Sequence, residues 1–160
     1  VINSLLQNID EFLETGILIA ATNHEQLLDS AIWRRFEKVV NVNKPNSDEI
    51  KNLVENYFEK IGSDLATDDK KFEMVKTYMS NLSHSEIIKI INSAYYNSII
   101  KKSVFEYEDI FSEYFKYKNN NRFLPEEMIK FLNESHIPQK QIASYLDISI
   151  RQVRNALNVE

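Results

Sequence analysis

The chain has 160 residues, of which 43% are hydrophobic and 27% are charged, and these proportions are those of a globular protein with a core of its own. Its formal net charge of -5 argues against a protein that binds nucleic acid or membranes over its whole surface. The absence of cysteine excludes disulfides and thiolate metal sites and fits a reducing cytoplasm.

The first 45 residues combine predicted helices with two short predicted strands. Apolar residues recur at helical spacing over 1–13 and predict an amphipathic helix. The continuous apolar run at 17–21 is typical of a strand buried on both faces, and Val39, Val40 and Val42 suggest a second brief strand after a short helix at 29–36. Because a strand buried on both faces needs neighbours on both sides, we expect further strands outside this sequence, which does not begin with Met.

The remainder of the chain is predicted to be helical. Three capping boxes mark helix starts, at Asn46 with Glu49, Ser83 with Glu86, and Ser149 with Gln152. The predicted helices lie at 48–61, 68–80, 84–102, 107–117, 125–135, 138–146 and 149–158. With a break at Pro45 and a polar linker at 118–122, the predicted domains are 1–45, 46–118 and 119–160, and the fold class is mainly α with a small α/β remnant.

Three polar residues near the predicted first strand suggest chemistry on phosphates. Asn23 follows the apolar run, and the carboxyl ends of such strands are where α/β sheets bind ligands. Arg34 and Arg35 are adjacent and offer planar, permanently charged donors to phosphoryl oxygens. Taken singly, each has a plainer explanation: Asn23 as the start of a turn, and the arginines as partners of surface carboxylates.

The combination is more specific than its parts. The string LLQNIDEF…GILIAATNHEQLLDSAIWRRFEKVVNV closely resembles the second half of the ATPase core of AAA-type ATPases over residues 5–45. The resemblance implies a partial P-loop NTPase core, with Asn23 as the sensor-1 residue that polarises the attacking water or contacts the terminal phosphate. It also implies that Arg34 and Arg35 are arginine fingers, which act on the nucleotide of the neighbouring subunit in a ring, usually a hexamer.

Two departures from that family limit what the chain can do alone. It has only two glycines, Gly16 and Gly62, so it lacks a loop whose amides cradle phosphates. It also lacks an apolar strand that ends in Asp-Glu; the pair Asp10-Glu11 lies inside the first helical pattern and is not that feature. ATP and Mg²⁺ are therefore expected as cofactors of a longer protein, and this chain alone is expected to bind ATP weakly or not at all, to be inactive, and to hold no metal.

The helices at 46–118 resemble the AAA lid. Ser83, His84 and Ser85 stand at the start of its third helix, where the family places residues near the nucleotide, and a helix N-terminus suits an anion. These three are candidate cofactor-binding residues. The alternative is that Ser83 caps the helix and His84 is solvated. The aromatic residues at 95–115 are interpreted as lid core, with a stacking platform for nucleic acid as the alternative.

The segment PQKQIASYLDISIRQVRNALN resembles a helix-turn-helix in a C-terminal three-helix bundle. In that geometry Arg151, Gln152, Arg154 and Asn155 project outward and suit base edges and phosphates. The segment 118–160 has six basic and five acidic residues, so its net positive charge is smaller than that expected of a DNA-binding domain. The alternative is a three-helix bundle that contacts another protein.

Two functions from different classes follow. The first is a part of an AAA ATPase that remodels a protein or nucleic-acid partner of unknown identity. The second is a DNA-binding regulatory module whose ATPase half is a nucleotide-controlled oligomerisation switch. A third, purely structural adaptor would leave Asn23, Arg34 and Arg35 without a role.

Overall fold

A computed structural model describes residues 2–65, 67, 70–122 and 124–158. The chain divides into two compact units, Val1–Val42 and Asn43–Glu160, which we call the first and the second unit and describe separately. Over the described residues the secondary structure is helical, so the mainly α part of the predicted fold class is confirmed.

Within its described residues, the first unit holds two α-helices and one 3₁₀ turn. Helix α1 spans Ile2–Leu13 and helix α2 spans Ser30–Trp33, with the 3₁₀ turn at Glu25–Leu27 between them. The amide of Ala31 donates to the Asp29 carboxylate at 2.8 Å, an N-cap that determines where α2 begins. Both helices lie where the sequence predicts them.

The two strands predicted for the first unit are wrong for this structure. Residues 17–23 and 38–46 run as irregular backbone, and the described residues contain no strand. Ile17 and Ile19 are 87% and 88% exposed, and Val42 is 90% exposed. The physical reason is that an extended segment gains ladder hydrogen bonds and burial only from a neighbouring strand, and the described residues supply none.

The second unit contains seven helices within its described residues, all at the predicted places. They are α3 Ser47–Ile61, α4 Lys70–Met79, α5 His84–Lys101, α6 Tyr107–Lys118, α7 Pro125–Glu134, α8 Gln139–Tyr145 and α9 Ile150–Leu157. The predicted capping boxes of α3, α5 and α9 are confirmed, each with its reciprocal pair of side chain and backbone bonds. The sequence therefore places helix starts well where a capping residue determines them.

One apolar core runs through all seven helices. The largest fully buried side chains come from α3 to α8 and the loop before α8, and include Phe72, Ile91, Phe111, Leu132 and Ile137. The ring of Phe131 on α7 lies 5.0 Å from that of Tyr78 on α4 and 5.4 Å from that of Phe115 on α6. The last three helices thus pack on the preceding four, and the division at 118–122 remains a prediction about domains rather than a gap in the core.

The aromatic and aliphatic residues at 95–115 fall into two groups. Tyr107, Phe111, Tyr114 and Phe115 on α6 are buried, as the interpretation as lid core predicts. On α5, the neighbouring Tyr96, Ile99 and Ile100 are 59%, 52% and 77% exposed, so that part of the predicted core is wrong. They lie on the side of α5 opposite its buried Ile87, Ile91 and Ala94 stripe.

Candidate functional site

Asn23 lies at a bend in the irregular segment that follows residues 17–21 and is exposed. The hydroxyl of Thr22 accepts a hydrogen bond from the amide of His24 at 3.0 Å, which closes a small local turn around Asn23. The side chain amide of Asn23 makes no hydrogen bond within the described residues. It is therefore available to a water or a phosphate oxygen.

Arg35, just after α2, is held firmly within the first unit. Its Nε donates to Asp10 Oδ1 at 2.6 Å and its Nη2 donates to Asp10 Oδ2 at 2.7 Å. A third bond runs from Nη1 to the carbonyl oxygen of Ala31 at 2.8 Å. Two parallel bonds to one carboxylate give the strongest orientation that a guanidinium can have, so this side chain has a defined direction.

Arg34 differs from its neighbour. Its side chain is exposed, and no hydrogen bond or ion pair joins it to any described residue. Successive residues at the end of a helix point about 100° apart, so that when Arg35 turns back to Asp10, Arg34 points elsewhere. Two adjacent guanidinium groups therefore differ: that of Arg35 is held by hydrogen bonds, and that of Arg34 has no partner among the described residues.

Asp10 is the residue of this site that the sequence did not reveal. The helical pattern around Asp10-Glu11 predicts no site there, yet Asp10 binds Arg35 across 25 positions of the chain. The hydrogen bonds from Arg35 lower the pKa of the Asp10 carboxyl, and Asp10 in turn raises the pKa of Arg35. No spacing rule connects a helix acid to an arginine that far along the chain, so only the tertiary structure could show the pair.

The start of α5 in the second unit combines an acid engaged in several hydrogen bonds with two exposed side chains, of which Ser85 shares a hydrogen bond of 3.2 Å with the Ser83 hydroxyl. Glu86 accepts from the amide of Ser83 at 2.7 Å and from the hydroxyl of Tyr117 on α6, and these bonds lower its pKa to about 2. His84 and Ser85 are exposed. Ser83 is half-buried and accepts from the amide of Glu86, so the capping role foreseen for Ser83 is confirmed, and His84 and Ser85 remain the accessible candidates.

The four candidate nucleic-acid residues share one exposed side of α9. Arg151, Gln152, Arg154 and Asn155 are exposed, whereas Val153 and Ala156 are buried. Asp147, in the turn between α8 and α9, has a φ of 54°, the left-handed conformation that Asp tolerates better than most residues. The outward orientation expected of these four side chains is thus present.

Comparison with known proteins adds the family. Residues 1–44 match the family described as "ATPase family associated with various cellular activities (AAA)". These first 44 residues are thus similar to part of the AAA family. It is 51% identical over 47 residues to an uncharacterized AAA family ATPase, y4kL, of Sinorhizobium fredii, a match that covers 29% of this chain and 14% of that protein.

Two further AAA relatives match a longer stretch of the chain. One is the subunit YME1 of the mitochondrial inner membrane i-AAA protease supercomplex of Saccharomyces cerevisiae, 32% identical over 97 residues, which cover 58% of this chain and 13% of that protein. The other is a putative 26S proteasome regulatory subunit homolog of Methanothermobacter marburgensis, 29% identical over 105 residues, which cover 64% of this chain and 28% of that protein. The matched stretches thus span less than a third of each of these AAA relatives. No solved structure was found to match.

Two exposed side chains of the first unit are of a chemical kind that can bind phosphate oxygens. Asn23 and Arg34 are exposed donors without a partner in the described residues, and donors of this kind suit phosphoryl oxygens. For Mg²⁺, the described part of the chain contains no group of three or more acidic or imidazole side chains close enough to hold a metal ion. Nor does it contain a helix with the length and hydrophobicity that crossing a bilayer requires.

Proposed function

We propose that this chain is part of a cytoplasmic ATPase that assembles into a hexameric ring. The ring hydrolyses ATP and uses the free energy to remodel a partner macromolecule. The observation that carries the proposal is the unpaired, exposed Arg34 beside the braced Arg35, inside the segment that matches the family. A permanently charged donor held at a protein surface suits the charge that develops on a transferred phosphoryl group.

Each candidate residue has a distinct part in this proposal. Asn23 orients the attacking water or the terminal phosphate through its side chain amide, and Arg34 and Arg35 form the finger segment for the neighbouring nucleotide. His84 and Ser85 at the start of α5 are exposed and are the candidate nucleotide-binding residues of the second unit. ATP supplies the phosphoryl group and its Mg²⁺ neutralises phosphate charge, and both are held largely by parts of the protein beyond this chain.

Loss of Arg34 is the direct test. In the complete protein, Arg34→Ala is expected to lower the kcat of ATP hydrolysis on the order of 10³-fold or more, with a much smaller effect on KM. Arg122→Ala is the matched control, because Arg122 is also exposed but lies outside the family match. Turnover that survives Arg34→Ala would rule out the finger role.

Action between subunits has its own test, because Asn23 and Arg34 would serve two different nucleotides in a ring. Asn23→Ala and Arg34→Ala are each expected to inactivate a ring made of one variant alone. In an equal mixture, about a quarter of the sites would combine an intact Asn23 with an intact neighbouring Arg34, so activity should return. If the Asn23 and Arg34 of one subunit served the same nucleotide, mixing would restore nothing.

The isolated chain is expected to bind ATP weakly or not at all. Its described donors reach only the phosphate end of the cofactor, and a single exposed guanidinium in water contributes little binding free energy. Isothermal titration calorimetry of the chain with ATP and Mg²⁺ should show no saturable binding in the micromolar range. Micromolar affinity would contradict the proposal that most ATP-binding groups belong to parts of the protein beyond this chain.

The partner is proposed to be a protein. Two relatives are named for assemblies that degrade proteins, an i-AAA protease supercomplex and a proteasome, and the net charge of -5 does not favour a polyanion.

DNA is the second candidate partner, in a regulatory module whose ATPase half controls oligomerisation. One observation favours it, the exposed row of Arg151, Gln152, Arg154 and Asn155 on α9. An electrophoretic shift with duplex DNA that weakens with salt, and that disappears in Arg151→Ala/Arg154→Ala, would support it. Absence of a shift at low salt would leave the protein partner.

A further inference from the structure

The two adjacent arginines differ more in their surroundings than in their chemistry. A guanidinium has five N–H donors, on three nitrogens. In Arg35 all three nitrogens are engaged, by both oxygens of Asp10 and by the carbonyl oxygen of Ala31. Before Arg35 could bind a phosphate edge-on, this bidentate pair would have to break.

The same three bonds tie together separate parts of the first unit. Asp10 belongs to the last turn of α1, Ala31 lies in α2, and Arg35 follows α2. Within the described residues of the first unit, Ile9 is the one buried apolar side chain, and Ala31, Ile32 and Trp33 of α2 are half-buried. The Asp10–Arg35 pair adds a directional tie between α1 and the segment that carries Arg34.

We propose that the arginines divide the work: Arg34 is the catalytic finger offered to a neighbouring nucleotide, and Arg35 with Asp10 is a positioning pair that aims it. This inference rests on the proposed ATPase function and makes it more specific, because it adds Asp10 to the site and removes Arg35 from contact with phosphate. Lysine cannot replace Arg35 here, because it lacks the planar fork that makes two parallel bonds.

A double-mutant comparison of ATP turnover in the complete protein separates the two roles. Asp10→Ala and Arg35→Ala should each lower kcat about a hundredfold, the effect of a small misplacement of a catalytic group. The double variant should be no worse than either single variant, because both remove the same interaction. Arg35→Lys should behave like Arg35→Ala, and Glu11→Ala, at the exposed acid next to Asp10, should have no effect.

A mixing experiment excludes mere loss of folding. Rings of Asp10→Asn subunits, a variant of nearly unchanged shape, should regain activity when Asn23→Ala subunits are added, because the defect acts on the neighbour's nucleotide. A variant with a general folding defect would not be rescued. The proposal is overturned if Arg35→Ala is as damaging as Arg34→Ala while Asp10→Asn is mild, since Arg35 would then contact the phosphate itself.

A measurement without ATP distinguishes failure of this inference from failure of the proposed function. In the 160-residue chain, an NMR titration of the Asp10 carboxyl should give a pKa below the ordinary range, as the bonds from Arg35 require. Arg35→Ala should return it to that range, and Arg34→Ala should leave it low. An unchanged Asp10 titration in Arg35→Ala refutes the positioning pair whatever ATP does, whereas a confirmed pair together with intact turnover in Arg34→Ala refutes the ATPase site alone.

Discussion

The first compact unit has the higher proportion of apolar residues, but the second buries far more of them. In the second unit, Phe72, Ile91, Phe111 and Leu132 are 1% exposed or less and belong to one core. In the first unit, Ile17, Ile19 and Val40 are 68% exposed or more, although the sequence around them is as apolar as a core strand.

This difference shows that an apolar segment becomes a buried element only when another apolar surface packs against it. Apolar burial contributes about 25 cal/mol per Å², and the seven helices of the second unit supply one another with that area. The described part of the first unit supplies less of it, so polar contacts have a larger share in holding that unit together: the Asp29 cap of α2 and the Asp10–Arg35 pair. The candidate catalytic residues Asn23 and Arg34 thus lie on the less stabilised unit.

The most direct test of this difference between the units is to replace one phenylalanine in each by alanine. Phe72→Ala, at a fully buried position, should lower the free energy of unfolding by about 3–5 kcal/mol, because it removes buried area and leaves a cavity. Phe12→Ala, at a position 49% exposed, should cost less than about 1 kcal/mol. Urea denaturation followed by circular dichroism measures both, and equal losses would contradict the contrast.

The buried acid Glu108 tests the core of the second unit through pH. Its side chain is 4% exposed, and its Oε2 has no hydrogen bond partner among the described residues. Burial raises the pKa of Glu108, against smaller opposing effects of a backbone hydrogen bond and of the Lys71 charge. Because the folded state binds this proton more tightly than the unfolded state, stability should fall as pH rises from the ordinary Glu pKa through the raised one.

The substitution Glu108→Gln should reduce that pH dependence and leave the part due to Asp109, whose pKa burial also raises. At pH 7 it should raise the free energy of unfolding by about 1–3 kcal/mol, because a neutral amide is easier to bury than a carboxylate with one unsatisfied oxygen. Glu127→Gln at the exposed first turn of α7 is the matched control and should change little. Both variants should be measured at pH 4 and pH 7. This separates the effect of Glu108 from that of Glu86, because the pKa of Glu86 is lowered and its contribution to stability is lost only at acid pH.

A smaller effect is expected from the cap of α3. Asn46 accepts from the amides of Asp48 and Glu49 at 2.9 and 3.0 Å, so Asn46→Ala should cost about 1 kcal/mol of unfolding free energy. Asn52→Ala, the same substitution at an exposed position inside α3, should have the opposite sign, because alanine is the better helix former. A loss in both variants would show that the capping box is not the cause.

The smallest effect is expected at the exposed apolar run of the first unit. In this chain, Ile17→Ser should change the free energy of unfolding by no more than about 0.5 kcal/mol, because the side chain is 87% exposed. The same substitution in the complete protein should cost more if neighbouring strands cover the run there. A loss above 1 kcal/mol in the chain alone would mean that the run is already buried.

Predictions from the sequence succeeded where short-range physics decides the outcome. Helices with a capping box began where Asn46, Ser83 and Ser149 predict, because the cap and its partner lie within one turn. The strands at 17–21 and 39–42 failed because a strand depends on residues far away in the chain. Exposed Tyr96 and Ile100 were misjudged for a related reason, since helical spacing shows which residues share a side and not which side is covered.

By itself the sequence determined the helices, their caps, the AAA resemblance and the identity of Asn23, Arg34 and Arg35 as donors suited to phosphate. Each of these depends on residue types and on spacings of a few positions. Only the tertiary structure decided that Arg35 binds Asp10 across 25 positions, that Arg34 remains exposed, and that Phe131 joins the last helices to the core. Contacts between distant positions follow from how elements pack in three dimensions, and no local pattern encodes that packing.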